Sequence, residues 1–350
     1  MTRRRAFLAA AAVLAARDAF AANDTGWESG TPETQGMQAA AVAETLQAGE
    51  AVPALRALLV ARNGILVAER YYAGARADDL QGINSATKSV CSMLVGTALR
   101  DGAIRSLDET VAQLIPDEIA ELPGSPAAPV TLRQILAGRT GLDYDFRRFR
   151  ELAGTRGLVR HVLTQPTVPV PPPGWSYNDA MVALLAPILA RASQGASLST
   201  LAERQLFAPL GIASFRWQRD GDGQPLAPGG LALRPRDLLK LAAVMNDGGR
   251  WRGAQVLPEA WVVQSLSSRG PATWRPQPVT DVGYGFLWFT GRLHGQRVAW
   301  AWGYGGQFAL LAPDLRLVVA TAATSPPPAA LMAQTDAVMT LVGRLVQAAA

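Results

Sequence analysis

Apolar positions along this chain change period twice. Residues 55–60 and 65–72 are short strand-like runs joined by Arg62-Asn63-Gly64. Asn-Gly between two apolar runs tolerates the positive φ of a tight turn and predicts a β-hairpin. From Asn84-Ser85 to about Arg100 the apolar residues recur at helical spacing, and Asp101-Gly102 punctuates the end. Residues from about 103 to 250 read as mostly helical with many Pro and Gly breaks, including a proline-rich loop at 168–174 and an apolar helix at 180–192. Strand patterns return after Gly283, at 284–289, 298–302, 308–312 and 317–321, with Pro313-Asp314 turning between the last two. Residues 331–346 predict a closing helix. Strands at both ends with helices between predict an α/β (α+β) fold: an antiparallel α/β part at about 22–90 and 255–350, and an all-helical insert at about 91–254.

The N-terminus follows a different logic. Arg3-Arg4-Arg5 precede an apolar run at 6–16 and then Ala19-Phe20-Ala21, an A-x-A pattern. That run is too short to span a bilayer, so residues 1–21 read as a cleaved export signal of the Sec or twin-arginine type. A periplasmic or secreted protein is expected. No later stretch reads as long and apolar enough for a membrane span, so stable membrane insertion is not expected.

Charge adds little. The net +5 resolves into +3 from Arg3, Arg4, Arg5 and Arg17 against Asp18, leaving +2 for the remainder. So small and scattered an excess points away from nucleic acid as a partner. Cys91, the one cysteine, cannot form an internal disulfide and sits in an apolar helical stretch, which predicts a buried, inert thiol. His161 and His294 lack partners at ligand spacing, so no metal site is expected, and no cofactor motif is present.

Ser85-Ala86-Thr87-Lys88 carries the strongest chemical signal. Residues i and i+3 share a helix face, which brings a lysine amine beside a serine hydroxyl. The start of a helix also presents free N–H groups to a forming oxyanion. A buried lysine can lose its proton and accept one from serine. Of 33 basic residues only Lys88 and Lys240 are lysines. The chain otherwise uses arginine, which cannot perform that transfer. Lys240, beside Arg236 and Asp237, reads as solvated. Tyr177-Asn178-Asp179 follows the rigid Pro171-Pro172-Pro173-Gly174 segment. A phenol near a lysine ammonium has its phenolate favoured, which suits a general base and then acid. Trp302-Gly303-Tyr304-Gly305-Gly306-Gln307 lies between two strands, where a strand edge can supply a second oxyanion-hole N–H. No G-x-S-x-G elbow is present.

These elements, in this order, resemble the serine β-lactamase and penicillin-binding-protein superfamily, in its class C and esterase branch. The similarity extends over roughly residues 50–345. It includes Val130-Thr131-Leu132-Arg133-Gln134-Ile135-Leu136 with Thr140-Gly141-Leu142, and Leu206-Phe207-Ala208-Pro209-Leu210-Gly211-Ile212. Gly229-Gly230-Leu231, Pro258-Glu259-Ala260-Trp261 and the run from Gly305 to Leu315 match as well.

The resemblance implies a sheet with flanking helices packed on a helical region, and a cleft between them. It implies acylation of Ser85 assisted by Lys88 and Tyr177, an oxyanion hole from the N–H groups of Ser85 and Gln307, and release by water. Asp179, Tyr304, Gly305 and Gly306 would contact substrate. Two departures bear on substrate. Tyr304-Gly305-Gly306 stand where many relatives have Lys-Thr-Gly, whose lysine helps hold a substrate carboxylate. Asp179 replaces an asparagine, and a carboxylate cannot donate to an acyl carbonyl but can pair with Lys88. The expectation is an exported hydrolase of small ester or amide substrates. A β-lactamase or D,D-peptidase is the alternative, followed by a non-catalytic binder of peptidoglycan-like ligands.

Overall fold

The computed structural model describes residues 26–144, 151–165, 168–169 and 174–350. The export signal at 1–21 and Pro171-Pro172-Pro173 lie outside the described residues.

Helix α1 (Ala39–Ala48) leads into strands β1 (Leu55–Arg62) and β2 (Ile65–Tyr71). The hairpin turn holds Asn63 at φ 55° and Gly64 at φ 82°, the left-handed pair that Asn-Gly accommodates. Helix α2 (Thr87–Arg100) follows, buried at every position from Thr87 to Ala98. A helical region then runs to about residue 210 and includes the short helix α3 (Asp179–Ala183). Helices α4 (Pro235–Asn246) and α5 (Glu259–Leu266) precede five strands: β3 (Thr280–Tyr284), β4 (Phe289–Leu293), β5 (Gln296–Gly303), β6 (Gln307–Ala312) and β7 (Leu317–Ala323). Helix α6 (Leu331–Ala349) closes the chain.

All seven strands form one antiparallel sheet ordered β3-β4-β5-β6-β7-β1-β2. The N-terminal hairpin therefore joins the C-terminal strands, with Val60 opposite Val319. Every residue of β6 and β7 is buried, so both faces of the sheet's centre are covered, which explains their unbroken apolar runs. Helix α4 lies on β1, β6 and β7, and α6 packs on α1 and β7.

Several expectations change. Residues 284–289 are not one strand. Tyr284 ends β3 and Phe289 begins β4, while Phe286 and Trp288 fill the core from the connecting turn. There the Gly285 N–H donates to Trp288 O at 2.8 Å, and Leu287 takes φ 59°. An aromatic turn buried between helices imitates a strand in sequence. Helix α4, placed by its sequence in the helical insert, belongs with the sheet. Lys240 is consequently buried, with its amine 3.0 Å from the fully buried Asp237 one turn earlier. Segment Pro328–Ala349 does reach the length and mean hydropathy (1.2) of a membrane span. Here its apolar face, with Val338, Val342, Leu345 and Val346, is buried against the rest of the fold.

Gly96 on α2 meets the indole of Trp261 on α5, which is buried and stacked on Phe286 with ring centroids 5.5 Å apart. A methyl group there would overlap the indole. Alanine ordinarily gains about 1 kcal/mol over glycine inside a helix. The overlap outweighs that, so Gly96→Ala destabilises by about 1–3 kcal/mol. Urea unfolding checks this; a midpoint at or above that of the wild type contradicts it.

Candidate active site

Ser85 sits in a single tight turn, Asn84–Ala86, at the entrance to α2. Asn84 adopts φ 48°, unusual for a residue other than glycine, and the surroundings hold it there. Its side-chain amide donates to Tyr304 O at 2.8 Å and Ser325 Oγ at 3.1 Å. The Thr87 hydroxyl closes the turn onto Asn84 O at 2.6 Å. Gly303, the last residue of β5, lies so close to the Ile83 carbonyl that any side chain there would overlap it. The turn that holds Ser85 is thus tied to the end of the sheet.

Lys88 reaches back along α2 to place Nζ 2.9 Å from Ser85 Oγ. Its other neighbours are Pro228 O at 2.7 Å and Asp179 Oδ1 at 2.6 Å. Nζ also lies over the Tyr177 ring, 4.7 Å from its centroid. Two hydrogen bonds and one ion pair surround the ammonium. When the amine is neutral it keeps two N–H groups, and a carbonyl and a carboxylate can only accept. Its lone pair is then left facing the one neighbour that can donate, the Ser85 hydroxyl. Burial pushes the Lys88 pKa below the usual lysine range, and Asp179 pulls it partly back.

Tyr177 stands on the same cavity wall as Ser85. Its ring stacks on Trp274, centroids 4.4 Å apart and planes inclined 26°. Burial first, and Asp179 second, push its phenol well above the ordinary tyrosine value. The favoured phenolate expected from Lys88 is therefore reversed, because burial disfavours the phenolate and Asp179 offsets the ammonium's field. Asp179 begins α3, where the Asn178 side chain caps the helix by accepting from Met181 N at 2.9 Å.

Ser85, Tyr177, Trp302 and Tyr304 share a cavity of about 410 Å³. Ser85, Lys88 and Tyr177 are thus brought together, and Tyr304 joins them. The remaining expectations divide. Asp179, expected at the substrate, is spent on Lys88. Gly305 and Gly306 face away, where a Cβ would lie 2.7 Å from Pro326 and 3.0 Å from Val338 of α6. Their φ values of 93° and 97° let the β5–β6 turn seat against that helix. Gln307 does not face the site either. Its side-chain amide donates to Ala323 O, and its neighbour Phe308 donates N–H to Thr321 Oγ1 on β7 at 2.9 Å. Consecutive N–H groups of a strand point to opposite edges. The Gln307 N–H therefore faces Gly303, its partner on β5.

Trp274, Arg275, Leu331 and Met332 also line the cavity and went unread. One signal existed: a tryptophan amid the polar, proline-rich run Thr273-Trp274-Arg275-Pro276-Gln277-Pro278. Cys91 is buried as expected, and burial pushes its thiol pKa up. Among the described residues no cluster of three metal-ligating side chains is found.

A family model described as Beta-lactamase matches residues 39–344. The 6-aminohexanoate-dimer hydrolase of Paenarthrobacter ureafaciens is 27% identical over 230 residues, 60% of this chain; the match spans only 57% of that relative's length. The D-amino acid amidase from Ochrobactrum anthropi SV3 has a similar structure, with a TM-score of 0.69 at 19% identity, over 88% of this chain and 97% of that one. The octameric penicillin-binding protein homologue from Pyrococcus abyssi gives 0.65 at 18% identity, over 87% and 76%. At these identities the two structures bear on the fold alone.

The Lys88–Asp179 pair sets a pH dependence. Asp179 raises a lysine pKa that burial lowers. Asp179→Asn removes only the raising influence, so Lys88 loses its proton at lower pH. The limb on which kcat/KM rises with pH moves to lower pH in this variant. A limb left in place would mean that another group titrates.

Proposed function

We propose, from the premise that this chain belongs to the beta-lactamase family of serine hydrolases, that it cleaves small ester or amide substrates through an acyl-enzyme on Ser85. The observation that carries this reading is the Lys88 environment, in which a deprotonated amine has only the Ser85 hydroxyl to accept from. Ser85 Oγ attacks the substrate carbonyl as its proton passes to Lys88. The oxyanion is held by the Ser85 N–H and by a second N–H from the segment Trp302–Tyr304. Alternation along β5 turns the Trp302 amide away from β6, and the Tyr304 carbonyl is already pinned beside Ser85.

Tyr177 acts first as an acid. Its raised pKa keeps the phenol protonated, so it donates to the leaving oxygen or nitrogen as the carbonyl bond to that atom breaks. The proton held by Lys88 then restores the phenol. In the second half a water attacks the acyl carbon, and the same groups return its proton to Ser85 Oγ.

An ester or amide substrate is favoured over a β-lactam because the segment Trp302–Tyr304 beside Ser85 holds no lysine of the kind the family uses for a carboxylate. Retention of Ser85 and Tyr177 on one cavity, with Lys88 bonded to the serine from behind, argues against a purely binding role. The export expected from residues 1–21 remains part of this reading, supported by the basic start and the A-x-A pattern.

Ser85→Ala abolishes both turnover of 4-nitrophenyl esters and covalent labelling by a fluorophosphonate probe, read by intact mass. Labelling that persists in the variant would place the nucleophile elsewhere, and a wild type that never acquires an adduct would support the binder. Rapid hydrolysis of a chromogenic cephalosporin would favour the β-lactamase alternative.

A further inference from the structure

The cavity beside Ser85 is apolar on most of its wall and carries one charged residue, Arg275. Trp274 and Trp302 meet edge to face there, centroids 5.8 Å apart, and Met332 stands at the opening. Trp274 and Met332 are 41% and 42% exposed, two of the three exposed large apolar side chains on the described surface. Such side chains gathered at one opening mark a binding surface rather than scattered exposure. Arg275 adjoins Trp274 in sequence, and the stacking of Trp274 on Tyr177 anchors that segment over the catalytic groups.

Arg275 has no ion pair or hydrogen bond among the described residues. Of the acids near its segment, Asp281 on β3 is 3.7 Å from Arg292, and Asp336 on α6 accepts from the Gln277 N–H at 2.8 Å. Within the site Lys88 and Asp179 offset each other, so neither supplies a free charge to the cavity. Among the described residues an approaching ligand therefore meets an apolar slot with a single uncompensated guanidinium, a group that pairs bidentately with carboxylates.

We infer that Arg275 is a specificity-determining residue that selects substrates whose apolar body ends in a carboxylate, in a manner resting on the acyl-enzyme reading above. It meets the far end of an apolar substrate body, on the β3 side of the cavity, a task distinct from that of the lysine on the β5–β6 turn of the resembled family. The contact is partly solvated, so it is worth about a factor of ten in selectivity and weakens with added salt.

The test compares 4-nitrophenyl octanoate with the mono-4-nitrophenyl ester of suberic acid, which has the same chain length and adds a terminal carboxylate. The wild type prefers the acid ester in kcat/KM. Arg275→Gln lowers the ratio between the two esters about tenfold, mainly through KM, and Arg275→Glu lowers it further. Rising sodium chloride erodes the wild-type ratio but leaves that of Arg275→Gln nearly flat. Turnover of both esters with the same ratio in wild type and variants overturns this inference alone. Turnover of neither ester by the wild type overturns the acyl-enzyme reading, and this inference with it.

Discussion

A lysine amine enclosed by two acceptors and one hydroxyl is the constraint on which the whole site depends. In water a lysine holds its proton far above neutrality and is of little use as a base. Inside this fold burial weakens that hold, while Asp179 keeps the cation tolerable enough for the chain to fold around it. An unpaired buried charge costs several kcal/mol, so the carboxylate contributes to stability as well as to chemistry. The arrangement is directional. Pro228 O and Asp179 can only accept, so the proton-free face of Lys88 has Ser85 as its one counterpart.

Each component comes from a different part of the chain. The turn at the entrance to α2 supplies Ser85 and the first turn of α2 supplies Lys88, the start of α3 supplies Asp179, and the loop before it supplies Tyr177. The end of β5 reaches the Ser85 turn because Gly303 permits contact with Ile83, and Asn84 ties that turn to Tyr304. The sheet that carries β5 is closed by the N-terminal hairpin, which pairs with β7. Assembly of the site therefore requires both ends of the chain to have met. Aromatic stacking extends it outward, from Tyr177 to Trp274 and on to Trp302, making a slot that ends at Arg275.

Much of this was legible in the residues because it follows local rules. The Asn63-Gly64 turn, the helix from Ser85 and the Ser85–Lys88 spacing depend on near neighbours. So does the Thr131–Gln134 capping box in the matching stretch, which forms with the Thr131 N–H donating to Gln134 Oε1 at 2.8 Å. What escaped was set by distant packing. The aromatic turn at Gly285 imitates a strand because burial between helices asks for the same residue types. Lys240 reads as solvated beside its charged neighbours, until α4 is laid on the sheet. The Gln307 N–H faces Gly303 because the edge a strand N–H faces depends on pairing register, which no local pattern shows. Trp274 and Arg275 reach the cavity through a loop whose course no periodicity encodes.

The chain's two lysines make the central claim directly measurable. Protein labelled with carbon-13 at lysine Cε gives two side-chain resonances, and Lys240→Arg identifies the one belonging to Lys88. Followed against pH, the Lys88 resonance is predicted to titrate below the ordinary lysine value of about 10.4, in step with the rise of kcat/KM. A Lys88 that titrates at or above that value, while the enzyme is already fully active, would contradict the account.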